Sequence, residues 1–337
     1  MRTAALIALL ATMAAAGDPP PADGGVNAFA CDLYRALEPG KQNLFFSPYS
    51  VAVAMAMTRE GAKGETAREM DAVLHLDGDF VPPESLRPKP VWDHGGRKPK
   101  QVPAYELSIA NALWGQKGLT FEKAFLSRLL QKYGAPLERI DFRESDKARE
   151  TINDWVATQT KDRIKDIVPP PLPSPDTLLA LANAIHFKAA WAEPFDKRWT
   201  KSKAFFVPKI KLAVPMMHRT DEFRYAETED AQILELPYRG GQTSMVVLLP
   251  KKVLGIWDLE KQLTGPQLTR WLASMKSRPV TVRFPKFEVT CPVNLTETLP
   301  AMGMKRAFDR DRADFTGMTT EKPLFVGAVL HLSLIHI

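Results

Sequence analysis

Residues 43–58 read N-L-F-F-S-P-Y-S-V-A-V-A-M-A-M-T and carry no charge. A helix apolar on every side has to be buried on every side, so this stretch predicts a helix running through the middle of a core. Ser47 followed by Pro48 marks its start, the serine as cap and the proline at the first helical position. Gly61 suits its stop, where a left-handed residue is often required. Ala52, Ala54 and Ala56 leave room for a neighbouring layer to approach closely, and Ser50 is carried into the core on the first turn. No surface helix has this composition.

The chain around it reads as a mixture of helices and strands that do not alternate regularly, which points to an α+β fold with mixed sheets. Residues 65–75 carry Ala67, Met70, Val73 and Leu74 at helical spacing. Residues 105–114 read as a strand. Thr120 is placed to cap a helix that Gly134 ends. Residues 137–142 read as a short strand, and Ser145 opens a helix with Ala148, Ile152, Trp155 and Val156 on one face. Residues 178–187 avoid charge on both faces, as a strand covered on both sides does. Asn183 sits in that strand, and an unsatisfied amide there would cost about 1–3 kcal/mol, so partners must reach it from elsewhere. Strands at 233–237 and 244–249 flank a Gly240-Gly241 turn. Val280, Val282 and Phe284 alternate up to Pro285, with Lys286 beyond. Residues 324–330 read as a last apolar strand ending at His331.

The 337 residues suffice for one large domain or two modest ones, and charged and hydrophobic shares of 25% and 45% are ordinary globular usage. The net charge of +6 is a weak hint of an acidic partner. Residues 1–16 have the form of a secretory signal: Arg2, the apolar run Leu6 to Leu10, and Ala14-x-Ala16 before Gly17. Residues 17–25 read as a flexible lead-in. Cys31 and Cys291 could bridge or could be two buried small hydrophobes. Residues 77–104 are rich in proline and glycine and include Arg87, Lys89, Arg97, Lys98 and Lys100; a solvated loop is the plain expectation, a polyanion site the sharper one. No hydrolase elbow, zinc, phosphate-loop or dinucleotide motif occurs, and no histidine pair has metal-ligand spacing, so neither catalytic residues nor metal ligands nor a cofactor can be assigned. Asn294-Leu295-Thr296 is a glycosylation sequon that is expected to be idle.

Several of these segments together resemble the serpin family. They are N-L-F-F-S-P-Y-S with A-M-T-R-E-G-A-K-G-E-T, I-N-D-W-V-A-T-Q-T-K-D-R-I-K-D-I-V, L-A-N-A-I-H-F-K-A-A-W-A-E-P-F, V-P-M-M, E-L-P-Y-R-G-G-Q-T-S-M-V-V-L-L-P and A-F-D-R-D-R-A-D-F-T-G-M, in family order from Cys31 to His331. The resemblance implies a serpin domain over 26–331, with three mixed or antiparallel sheets and eight or nine helices. It implies a protease inhibitor of the bacterial secreted type and a monomer, not an enzyme. Its partner is a serine or cysteine protease, with no nucleic acid or membrane involved. The target cleaves an exposed reactive loop, which then enters the central sheet as a new strand. The shutter of that sheet resembles Ser50, Asn183 and His331, and the breach at its top resembles Trp191, Lys286, Met216 and Met217.

Two departures qualify the resemblance. Residues 77–104 replace a surface helix of the family, and their prolines oppose a helix there, which puts polyanion activation in doubt. After His331 the family continues into a hinge, the reactive loop and further strands, whereas residues 332–337 read L-S-L-I-H-I and match none of these. The expectation is a tail outside the family pattern, an absent reactive loop, no inhibition by these residues alone, and poor solubility. A non-inhibitory serpin acting as a binding or chaperone module is the alternative, and a hydrolase on another fold the remote one.

Overall fold

A computed structural model describes residues 9–12, 24–37, 43–76, 88–93, 99–207, 210–321 and 323–336. In chain order, strand β1 (Leu9–Thr12) precedes helices α1 (Gly24–Ala36), α2 (Pro48–Arg59) and α3 (Gly64–Leu74). Strands β2 (Pro90–Asp93), β3 (Lys100–Pro103) and β4 (Tyr105–Gln116) follow, then α4 (Lys123–Arg128), β5 (Leu137–Ile140) and α5 (Ser145–Gln159). Next come β6 (Leu179–Ala189), β7 (Lys201–Val207), β8 (Ile210–Glu227), β9 (Ala231–Pro237), β10 (Thr243–Pro250), α6 (Ile256–Gln262) and α7 (Gly265–Ser274). The chain then runs through β11 (Lys276–Pro285), β12 (Glu288–Asn294), α8 (Thr298–Met302) and β13 (Val329–His336). The described residues thus hold eight α-helices and three sheets.

The central sheet has the order β12-β13-β6-β4-β5. Its middle pair, β13 and β6, is parallel, whereas β4 and β12 join antiparallel on either side. The alternation of side chains along β6 divides the core. Leu179 and Leu181 pack on the face that carries α2, with Leu33, Met55, Met70 and Phe125. Ala182 and Ala184 face the other way, against Ile152 and Val156 of α5. Both faces of the sheet are therefore covered, which is why β6 carries no charge until Lys188. The second sheet has the order β1-β10-β9-β8-β11, with β7 paired to β8. One of its faces packs on α1, α6 and α7, and the other meets the upper end of β6 through Phe187 and Tyr238.

α2 starts as its sequence predicts: Ser47 is the cap, its hydroxyl accepting from the Ser50 amide at 3.2 Å, with Pro48 next. Its end differs. Gly61 is not left-handed, and Glu60 closes the helix in a right-handed conformation. Gly61 is needed for space, since a Cβ there would lie 2.1 Å from Met318 Cγ. Thr120 does not cap α4, which begins from Glu122 without a side-chain cap; the Thr120 amide instead donates to Glu321 at 3.1 Å. The helix gives way to a π-turn over Leu129–Tyr133 before Gly134, at φ +63°, ends it. The last strand begins at Val329, because Leu324 and Val326 are buried as an irregular crossing segment. It runs on through residues 332–336, where Leu332 pairs with Pro292 and Ala184. Within 77–104, the described parts form the β2–β3 hairpin. The basic residues Arg87, Arg97 and Lys98 lie outside the described residues. Cys31 and Cys291 are free and sit in separate cores, and burial pushes the Cys31 thiol up to about 11. In the segment expected as a leader, Leu9–Thr12 pairs antiparallel with Val246 to Thr243 of β10.

Candidate functional site

On the α2 face of the central sheet, three neighbouring strands place polar residues at one level. Asn111 of β4 is opposite Asn183 of β6, and Asn183 is opposite His331 of β13. The cap and first turn of α2 lie over this row and bring Ser47 and Ser50 to it. The Asn183 amide nitrogen donates to the Ser50 carbonyl at 2.9 Å, to the Ser50 hydroxyl at 2.6 Å and to Asn111 Oδ1. His331 Nε2 accepts the Ser47 backbone N–H at 3.0 Å, so the ring proton sits on Nδ1 and is donated to Asn183 Oδ1. The Ser333 hydroxyl reaches the same Nε2 at 2.7 Å. Ser50, Asn183, His331 and Ser333 are each at most 1% exposed.

This network supplies the partners that the sequence required for Asn183. It also fixes the charge state of the site. Burial pushes the His331 imidazole down from its ordinary 6.5 to about 3, so the ring is neutral at physiological pH. A neutral imidazole that both donates and accepts joins two strands and a helix cap without leaving a buried charge. The arrangement has no exposed nucleophile, no acid–base pair facing solvent, and, among the described residues, no group of acidic, histidine or cysteine side chains able to hold a metal. Chemically it is a clamp across the β6–β13 seam. Ser50, Asn183 and His331 were marked from the sequence; Asn111, Ser333 and the Ser47 amide were not, and the unexplained needs of Asn183 were the signal that could have found them.

The second predicted group divides. Trp191 stacks on Tyr238 with ring centres 4.7 Å apart and meets Phe284 edge-on at 6.4 Å, and Met217 packs in the same cluster. Trp191 and Tyr238 also form an isolated strand bridge, tying the exit of β6 to the second sheet. Met216, one residue along β8, is buried on the opposite side of the strand and pairs with Lys201 and Pro285. Lys286 is held by its backbone, its amide donating to Pro215 at 2.9 Å, while its side chain is exposed. The structure therefore brings Trp191 and Met217 together, and sets Met216 and Lys286 beside them rather than in the cluster.

Comparison with known proteins agrees with this architecture. The family model described as Serpin (serine protease inhibitor) matches residues 25–337. An uncharacterized serpin-like protein of Thermococcus kodakarensis is 38% identical, over 95% of this chain and 74% of its own. Human Serpin B3 is 34% identical, over 92% of this chain and 84% of its own. The crystal structure of uncleaved ovalbumin superposes with a TM-score of 0.83 at 29% identity, covering 93% of this chain and 86% of that one.

Proposed function

Because the chain belongs to the serpin family, we propose that it inhibits a serine or cysteine protease by taking up a cleaved loop as a new strand between β6 and β13. The observation that carries this reading is the seam itself. β6 and β13 are parallel neighbours over Val329–Leu334 and Leu181–His186, and the buried clamp of Asn183 and His331 spans them on one face. An incoming strand breaks this ladder and makes two new ones, each new backbone bond contributing about 1 kcal/mol. Serpins are themselves a known instance of strand addition and of release of stored strain. The clamp keeps the seam shut until that gain is available. Breaking it leaves buried polar groups briefly unpaired, at a cost of about 1–3 kcal/mol each.

The protease's serine or cysteine attacks the bait carbonyl, forms an ester or thioester to the acyl half of the loop, breaks the C–N bond and releases the new amine terminus. Insertion then carries the acyl-enzyme with it before water can cleave that bond. Ser50, Asn183 and His331 act as the shutter. Trp191 and Met217, with Met216 and Lys286 alongside, form the breach where insertion begins. Residues 1–337 supply the sheet that receives the loop, and no cofactor takes part. The protein is secreted, with residues 1–16 as a leader removed before Gly17; N-terminal sequencing of the exported protein checks the cut.

Incubation with a panel of serine and cysteine proteases, followed by denaturing electrophoresis, tests the inhibitory reading. Residues 1–337 joined to a serpin-type reactive loop are expected to trap at least one of these proteases as a covalent complex. Cleavage of that protein by the whole panel without any trapped protease refutes inhibition.

A further inference from the structure

Between the lower part of the central sheet and α5 lies a cavity of about 130 Å³. Trp114 of β4, Ala180 and Ala182 of β6 and Leu330 of β13 line it on the sheet side, and Ile152 of α5 with Val168 closes it from the other. Most of the lining is apolar, and Ser174, Asp176 and Thr177 add polar groups at one end, where Ser174 and Asp176 are exposed and the Ser174 and Thr177 hydroxyls bond each other at 3.3 Å. Trp114 differs from these: it is 4% exposed, and its indole N–H has no hydrogen-bond partner. A buried donor left unpaired costs about 1–3 kcal/mol, and such groups are rare in folded proteins. Trp155 meets Trp114 edge to face with ring centres 5.8 Å apart.

Volume and chemistry together define an occupant. An apolar cavity of about 150 Å³ in another protein takes up benzene, so this space suits one aromatic ring with a small substituent. The unpaired N–H asks that the substituent carry a hydrogen-bond acceptor. We propose that this cavity is a binding site for a small aromatic carbonyl compound, held by apolar contact with the sheet and α5 and by the Trp114 N–H. The ligand touches β6, β13 and α5 at once, and the proposal is independent of whether the seam ever admits a strand.

The test uses residues 1–337 and two fluorine-labelled probes of nearly the same shape, 4-fluoroacetophenone and 4-fluoroisopropylbenzene, titrated by fluorine NMR. One hydrogen bond predicts that the ketone binds about five- to tenfold more tightly than the hydrocarbon. Trp114→Phe is expected to erase that ratio while both probes still bind. Gly327 also lines the cavity, and a Cβ there meets nothing nearer than 3.8 Å, so Gly327→Leu fills the space without a clash at the backbone and is expected to abolish binding of both. Binding of neither probe, or full binding to Gly327→Leu, overturns the site. A ketone-to-hydrocarbon ratio near one, or one that survives Trp114→Phe, overturns the role of the indole N–H.

Discussion

Asn183 shows how one polar side chain constrains the residues around it. Its carboxamide lies 1% exposed between three strands, and every one of its partners is itself buried or half-buried. Asn183→Ala removes the acceptor of the His331 proton and the donor to Ser50 and Asn111, leaving several groups unpaired at once. We expect a loss of about 3 kcal/mol, read as a lower urea midpoint with an unchanged slope. His331 adds a pH dependence of definite sign. The unfolded imidazole takes up a proton below 6.5, whereas the folded one resists until about 3, so the unfolded state binds more protons across that window. Stability therefore falls as pH drops below about 6.5, by about 2 kcal/mol between pH 7 and pH 5. Urea titrations of the wild type and of His331→Gln should differ in this slope; equal slopes would show that another group titrates there. Ser50, Asn183 and His331 were legible because each stands out against an apolar run. Asn111 and Ser333 were not, since a single amide or hydroxyl in a strand is unremarkable until the register sets it opposite Asn183 or beside His331.

At the scale of elements, the same contrast separates starts from ends. The Ser47-Pro48 start of α2 depends on residues within one turn, and the sequence shows it. The end depends on what packs there from far along the chain. Gly61 meets Met318, and Gly317 donates its amide to the Gly61 carbonyl at 3.1 Å. Thr120, read as a cap, is drawn instead to Glu321 from the same distant segment. Burial alone also misled at Leu324 and Val326, because a chain crossing a core irregularly has the composition of a strand. This contact suggests a paired experiment. Gly61→Ala drives a Cβ into the flexible Met318 side chain, whereas in Gly317→Ala the added Cβ lies 2.8 Å from the Gly61 carbonyl oxygen. Both should lower stability by about 1–3 kcal/mol. Met318→Ala should recover part of the first loss and none of the second, a non-additivity that thermal melts of the double variants can measure. Recovery in both would place the obstruction in the side chain alone.

For the whole molecule the governing question is which sheet edges are covered. The central sheet was legible in outline, because a strand free of charge on both faces has to lie between two layers. The second sheet was less so. β8 runs 18 residues and pairs with β7, β9 and β11, joining strands that look like separate hairpins in sequence. Its far edge is β10, whose residues 243–248 are buried on both faces and whose outer backbone is paired only by the four residues of β1 among those described. An uncovered edge presents a row of free N–H and C=O groups to any other chain, and an apolar strand makes that contact favourable. A chain beginning at Gly17 lacks β1, so it should associate with rising concentration where residues 1–337 do not, an outcome that light scattering on a sizing column reads directly. Leu249 on β10 is 51% exposed. Leu249→Lys should suppress that association by placing a charge at the edge, without touching the core. A Gly17 chain that stays monomeric across the concentration range would mean that residues 9–12 are not what protects the sheet.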